Sequence, residues 1–430
     1  MRIVKLTEDN KKDLLDKLLK RSTQSYPEYE KTVAEIIENI RANGDKALFE
    51  YTLKFDKFEL TKDNIRVTRD EIDAAYKELD AEYVEVIKKA KENIRDYHEK
   101  QVRQTFITTK PDGSILGQRI IPIASAGTYV PGGKAAYPSS VLMNIVPAKV
   151  AGVEKIVMVT PPGKDGKVNP GTLVAADIAG VDEIYKVGGA QAIAALAFGT
   201  DSVPKVDKIT GPGNIFVALA KKAVYGNVGI DSIAGPSEIV VLADETPRAR
   251  YVAADLLSQA EHDELASAIL VTTSEELAQK VSDEVDGFLK VLERADIIKK
   301  SLDNFGYIFV ADSMSDAIDA VNEIAGEHLE ILTKNPFETM TKIKNAGAMF
   351  LGEYSSEPLG DYFAGPNHIL PTNGTSRFFS PLSVDDFIKK SSIICYSEEG
   401  LKKVHKDIEL FATKEGLTAH ANSIRVRFED

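Results

Sequence analysis

The chain has 430 residues, enough for two or three domains, and its 43% hydrophobic and 28% charged residues are ordinary for a globular protein with a sizeable core. A formal net charge of −13 argues against a nucleic-acid partner, because an acidic surface repels phosphate. The single cysteine, Cys395, excludes an intramolecular disulfide, a CxxC zinc ribbon and an iron–sulfur site, and it fits a reducing compartment.

The N-terminal run MRIVKLTEDNKKDLL has no apolar stretch of the secretory kind, and no run reaches the length of a membrane span. A cytoplasmic location without membrane contact is the expectation. The first hundred residues are charged and read as helix, with apolar spacing near the helical period over 27–53 and again from Asp70 to about Gln104. Between about Phe106 and Ile123 short β-prone runs flank a DG turn at Asp112–Gly113.

From about 150 to 243 strands and helices alternate. EKIVMVT reads as a strand, and NPGTLVAADIAG as a helix with Asn169 as N-cap, Pro170 in the first turn and Gly180 as stop. EIYKV, VDKIT and SEIVVLA are further strands; GGAQAIAALAFG and NIFVALAKKAVYG are the helices between them. A helix from Thr246–Pro247 to about His262, the strand SAILVTT and the helix SEELAQKVSDEVDGFLKVL open a second such unit. It continues through YIFVA, a helix from Asp316 to Ala325, HLEILT and AGAMFLG. The tail holds LSVDDFIKKSSIICYS and one more helix. The fold class is therefore α/β, with two Rossmann-like lobes on parallel sheets, a helical N-terminal segment and an elongated C-terminal tail. The segments run 1–125, 126–235, 236–381 and 382–430, the first packing partly with the second lobe.

Six histidines can be weighed singly: His98, His262, His328, His368, His405 and His420. His98 and His405 sit in charged helical runs, DYHEK and KKVHKD, and read as solvated surface residues. LLSQAEHD puts Gln259 and His262 on one helix face. The pair suits a metal, or else His262 is simply satisfied near a helix C-terminus. GEHLE sets Glu327 beside His328 at an element boundary, as an acid–base pair or an ordinary loop pair. LGDYFAGPNHILPTNG carries Asp361 and His368 among glycines and prolines that argue against regular structure and for a functional loop.

Asp361, His262 and His420 would together suit zinc, with Gln259 a less common addition. Sequence alone does not bring them together. No G-x-G-x-x-G occurs. GPGN before a helix is either an anion-accepting turn or a plain tight connection, and AGTYVPGGK is equally open. Cys395, in the apolar run SSIICYS without an adjacent base, reads as core rather than nucleophile. The residues alone thus reach a metal-dependent α/β enzyme and stop short of NAD.

Nine blocks taken together go further: GTYVPGGKAAYPSSVLMN, VGGAQAIAALAFGT, TGPGNIFVALAK, IAGPSEIVVLAD, LLSQAEHD, GEHLEI, GDYFAGPNHILPT, FSPLSVDDF and LTAHANSIRVR. In order and spacing they resemble the histidinol dehydrogenase family, from about residue 120 to the end. The resemblance implies two NAD-dependent oxidations, L-histidinol to L-histidinaldehyde to L-histidine, at the end of histidine biosynthesis. It implies Zn2+ on Gln259, His262, Asp361 and His420, and an acid–base pair in Glu327 and His328. Substrate would meet Ser237 and Glu415 as well as His328 and the zinc ligands; NAD would meet Tyr129, Gln191 and Asn214. It also implies a homodimer with shared active sites, His420 crossing to the partner. In that scheme the first lobe contacts NAD, the second carries zinc and the catalytic pair, and the tail completes the partner's site. A neutral His328 would serve as base and Glu327 would activate water, so no cysteine is needed. Zinc would hold the substrate's imidazole and amine. Three alternatives remain at this level: a paralogous zinc- and NAD-dependent dehydrogenase of another small polar alcohol, a zinc hydrolase needing no NAD, and a metal-stabilised scaffold.

Overall fold

The computed structural model describes residues 1–7, 27–132 and 137–429. Residues 133–136, which include the end of the AGTYVPGGK run, lie outside that set, as do 8–26 of the N-terminal stretch read as helix. By its internal contacts the chain divides into two units, Met1–Gln101 with Ile123–Phe387, and Val102–Pro122 with Ile388–Asp430. The strands in chain order are β1 (Arg2–Lys5), β2 (Phe106–Thr109), β3 (Ile115–Pro122), β4 (Ser125–Tyr129), β5 (Lys155–Val159), β6 (Glu183–Tyr185) and β7 (Lys208–Thr210). They continue as β8 (Gly229–Ile230), β9 (Glu238–Ala243), β10 (Ser267–Thr272), β11 (Gly306–Val310), β12 (His328–Leu332), β13 (Ala348–Leu351) and β14 (Ile388–Cys395).

The first unit contains two parallel sheets, with strand orders β6-β5-β4-β7-β8 and β1-β11-β10-β9-β12-β13. In the first sheet, the helix Pro138–Ala151 leads from β4 to β5, and the helix Ile215–Val224 leads from β7 the other way to β8. The two connections leave neighbouring strands in opposite directions. Such a switch point opens a crevice beyond the C-terminal strand ends, where ligands of open α/β sheets bind. In the second sheet β9 and β10 are buried along their whole lengths, EIVVLA and SAILVT, as expected for parallel strands covered on both faces.

Local chemistry sets the elements. Asn169 accepts from the Gly171 and Thr172 N–H groups and starts the helix Pro170–Ala179; Gly180, at φ 87°, ends it in the left-handed region. The helical run at 27–53 is instead two helices, Pro27–Asn43 and Asp45–Asp56, because Gly44 takes φ 51° between them. The run from Asp70 likewise divides into Arg69–Glu78, with a capping box at Thr68 and Glu71, and Ala81–Glu99. Val33, Ile36 and Ile40 of the first helix join Ile193 and Val157 in the core of the first sheet. β1, which no sequence pattern announced, is instead an edge strand of the second sheet, paired with β11.

The second unit is a three-stranded antiparallel sheet, β14-β3-β2, followed by two helices rather than one, Glu398–Lys414 and Thr418–Arg425, separated at Gly416 (φ 76°). Among the described residues no helix is long and apolar enough to cross a membrane.

Two residue readings are overturned. His98 is fully buried: Ile87, Ala90, Ile94 and His98 form the inward stripe of their helix, at spacings of three and four, whatever the charge of their neighbours. Its Nδ1 lies 2.8 Å from Gln101 Oε1 and its Nε2 3.5 Å from Asn367 Nδ2, and burial lowers its pKa. Cys395 is exposed, not core, because β14 belongs to a small sheet whose residues are mostly exposed. Cys395→Ser should therefore leave unfolding stability within about 0.5 kcal/mol, as for surface changes generally. Thermal unfolding checks this; a clear loss of stability would mean that the thiol is packed.

Candidate active site

The site begins at the N-terminal ends of two adjacent parallel strands, β9 and β12, where Ile239 pairs with His328. Glu327 Oε2 accepts the backbone N–H of Glu238 at 2.9 Å, and His328 Nδ1 donates to the Glu238 carbonyl at 3.0 Å. That second bond fixes the tautomer: in the neutral ring the lone pair is on Nε2. Nε2 is buried without a hydrogen-bond partner and lies 3.7 Å from Asp361 Oδ1. Ser237, immediately before β9, accepts the Ser267 N–H of β10 on its carbonyl at 3.0 Å.

Asp361 does not sit in a structureless loop. A short helix, Glu357–Tyr362, with a proline in its first turn, carries it; the irregular segment follows. The helix spacing puts Glu357 on the same face as Asp361. His328, Glu357 and Asp361 each offer a ligand atom within 4.8 Å of the others. Ser258, on the helix Ala249–Ala260, donates to Glu357 Oε2 at 3.2 Å. Its neighbour Gln259 is fully buried, and neither its amide oxygen nor its nitrogen has a hydrogen-bond partner. His262 follows the helix, exposed, with Asp361 as its strongest charged neighbour. His368 donates from Nδ1 to the Asp361 carbonyl at 3.0 Å, and its Nε2 lies 3.4 Å from Ser140 Oγ.

Burial and charge set the protonation states. Burial chiefly raises Glu327 to about 7, partly offset by His328. Burial would lower His328, but the charges of Glu327, Asp361 and Glu357 prevail and raise it to about 10. Burial also acts upward on Asp361, yet His328 and His368 hold it at about 2. Glu357 is pushed up to about 8 by burial and by the Asp361 charge. Without a cation, the carboxylates around His328 thus favour the protonated ring.

A zinc ion fits this donor set. Buried amides are nearly always hydrogen-bonded, and an orphaned one costs about 1–3 kcal/mol. A metal bound by the Gln259 oxygen would remove that anomaly, and the imidazole and carboxylate donors that Ser258, next in sequence, reaches through Glu357 are of the type zinc takes. Glu357 escaped the sequence reading; its signal was the four-residue spacing to Asp361, hidden among glycines and prolines.

The residues expected at NAD surround the crevice of the first sheet. Tyr129 ends β4, buried, and its hydroxyl accepts the Gly189 N–H at 3.2 Å. Gln191 is buried in the first turn of the helix Gly189–Phe198. Asn214 caps the helix Ile215–Val224, accepting from Phe216 and Val217 N–H, and is exposed. Glu415 and His420 belong to the second unit, where both are exposed and, with Phe411 and Leu417, line an open groove of about 770 Å³.

The family model for histidinol dehydrogenase matches residues 19–428. The chain belongs to the histidinol dehydrogenase family. It is similar to the histidinol dehydrogenase of Clostridium acetobutylicum, 59% identical over 430 residues and 99% of each chain. The histidinol dehydrogenase of Bacillus subtilis is 58% identical over 410 residues, 95% of this chain and 96% of its own. A crystal structure of histidinol dehydrogenase from Elizabethkingia anophelis superposes with a TM-score of 0.94 at 39% identity, covering 100% of this chain and 98% of the other. Histidinol dehydrogenases are NAD- and zinc-dependent oxidoreductases, so both cofactors follow from membership, and the His328, Glu357 and Asp361 group is one that could hold a metal.

Gln259→Leu separates a ligand from a structural amide. Replacing an orphaned amide by a similar apolar side chain should make the metal-free protein no less stable, and more stable by up to about 1–3 kcal/mol. It should also lower zinc affinity at least about tenfold. Apo-protein unfolding and zinc titration read the two effects; a destabilised apo-protein with unchanged zinc affinity would contradict the ligand role.

Proposed function

We propose that the chain oxidises L-histidinol to L-histidine through L-histidinaldehyde, with Glu327 and His328 moving the protons. The observation that carries the reading is the buried, unpartnered His328 Nε2 facing Asp361, its other nitrogen committed to the Glu238 carbonyl. Family membership supports the substrate and the two-step outcome. The same reading makes the protein a cytoplasmic homodimer without nucleic-acid or membrane partners.

Gln259, His262 and Asp361, with His420 from a second copy, would hold zinc, which when bound orients the substrate's amine and imidazole and offsets the surrounding negative charge. Tyr129, Gln191 and Asn214 would hold NAD, which takes one hydride in each oxidation. With its neighbours' charge offset, His328 falls from about 10 into the range of a general base. Its Nε2 takes the alcohol proton as hydride leaves the carbinol carbon. Glu327, anchored by the Glu238 N–H, then takes a proton from water as the hydroxyl adds to the aldehyde carbon. His328 takes the hydrate's proton as the second hydride leaves, giving the carboxylic acid. Ser237 and Glu415 would contact the substrate. The exposed Cys395 takes no part, since hydration replaces a covalent thiohemiacetal.

Glu327→Gln tests the division of labour. The amide keeps a hydrogen bond but accepts no proton, so aldehyde oxidation should fall by about 10²–10⁴-fold and alcohol oxidation by less. Because Glu327 is raised to about 7 and acts when deprotonated, aldehyde oxidation should rise with pH through about 7 and then level, and the variant should lose that limb. Equal losses with alcohol and aldehyde would contradict the assignment.

Mixing His262→Ala and His420→Ala protomers tests the shared site. Each homodimer should be inactive. Random pairing makes about half the dimers mixed, with one doubly damaged and one intact site each, so about a quarter of normal activity should return. Verified mixed dimers without activity would place His420 in its own chain's site.

A further inference from the structure

We infer that the buried ion pair Lys221–Asp231 is a positioning device for the NAD-contacting turn at 211–214, an inference that rests on the reading that Tyr129 and Asn214 contact NAD. Lys221 lies in the helix Ile215–Val224, and Asp231 directly follows β8; their side chains are 2% and 4% exposed. Besides pairing with each other, both bind the same residue. Lys221 Nζ donates to the Gly211 carbonyl at 2.9 Å, and Asp231 Oδ2 accepts the Gly211 N–H at 2.8 Å. The two halves of one ion pair therefore grip both backbone groups of a single glycine.

That glycine occupies a constrained place. Gly211 follows β7 with φ 113°, and a Cβ on it would lie 2.1 Å from the Tyr129 carbonyl oxygen. Only glycine permits so close a backbone approach in that conformation. The grip thus presses the turn against the end of β4, on the two sides of the switch-point crevice. Three residues later Asn214 caps the helix that carries Lys221, closing a ring of helix, turn and strand ends. A buried ion pair is a poor choice for stability alone, because apolar residues of similar volume often serve as well or better. An apolar pair has nothing with which to hold a glycine's N–H and carbonyl in place. The pair's contribution is the position of the turn, and through it the shape of the NAD crevice.

The test uses the zinc-loaded full-length protein carrying Lys221→Met with Asp231→Asn. This change leaves no unpaired charge and keeps an acceptor for the Gly211 N–H, but removes the donor to its carbonyl. Calorimetric titration with NAD should show affinity weakened at least about tenfold, with zinc content and the KM for L-histidinol unchanged. If the double variant does not fold, Lys221→Arg is read the same way, since a planar guanidinium does not reproduce the ammonium's bond to the carbonyl. Asn214→Ser is the control for the underlying reading, because serine still caps the helix but lacks the amide donors. If Asn214→Ser weakens NAD binding and the clamp variant does not, the pair is merely structural and the inference fails. If neither changes NAD affinity, the assignment of the turn to NAD fails and takes the inference with it. Parallel losses of NAD, zinc and histidinol binding would mark general damage and would also overturn it.

Discussion

Glu327, Glu357 and Asp361 surround the His328 imidazole, and Glu330 and Asp255 extend this group of buried and half-buried carboxyls beyond Glu357. Glu330 Oε1 accepts the Glu357 N–H at 3.0 Å, Glu357 and Asp361 share a helix face, and Asp361 and Glu327 each lie 3.7 Å from a His328 nitrogen. So much negative charge does not ionise together in a low-dielectric interior. Burial pushes Glu330 well above its ordinary range, and burial with the Asp361 charge pushes Glu357 to about 8, so part of the group is held neutral. The rest holds a proton on His328. A divalent cation would offset this charge, and on the proposed reading it would leave His328 free to act as the base. On that reading metal binding and acid–base chemistry are one electrostatic problem, and a metal ligand at Gln259 would account for its buried amide without a protein partner.

On the proposed reading the two parallel sheets would divide the work by the ends of their strands. In the first sheet the expected NAD residues gather at the C-terminal strand ends, as the switch-point rule requires. In the second, Glu327, His328 and Ser237 gather at the N-terminal ends of β9 and β12, the edge that rule leaves unused. The second sheet therefore serves as a rigid frame for a site built on its far edge. Backbone groups of Glu238 orient both Glu327 and His328, so their geometry follows from strand register rather than from flexible side-chain partners. Asn367, donating to the Met143 carbonyl, and His368, between Ser140 and Asp361, tie the segment after Asp361 to the helix Pro138–Ala151.

Much of this was legible in the sequence where one local signal suffices. The helix from Pro170 was bounded by its own cap and stop, and the buried strands β9 and β10 announced themselves as unbroken apolar runs. β1 was not legible, because four residues with two charges become a strand only by pairing with β11, some three hundred positions away. β4 was missed because SAGTY has small residues where a strand pattern needs β-branched ones. His98 was misread by weighing its charged neighbours over its own spacing to Ile94, and Cys395 by taking an apolar run for a core in a unit too small to bury it. The Glu327–His328 and Gln259–His262 pairs could be singled out from local spacing. Their convergence with Asp361 depends on the pairing of β9 with β12 and on a short helix concealed by glycine and proline, which no local pattern encodes.

The central claim is that the protein's own carboxylates keep His328 protonated until a cation offsets them. The nitrogen chemical shifts of His328, followed against pH in the metal-free and zinc-loaded proteins, test it most directly. The account predicts an imidazolium that persists through neutral pH without metal, titrating near 10, and a ring with Nε2 unprotonated at neutral pH when zinc is bound. A His328 that titrates near the ordinary histidine value in the metal-free protein, unmoved by zinc, would contradict it.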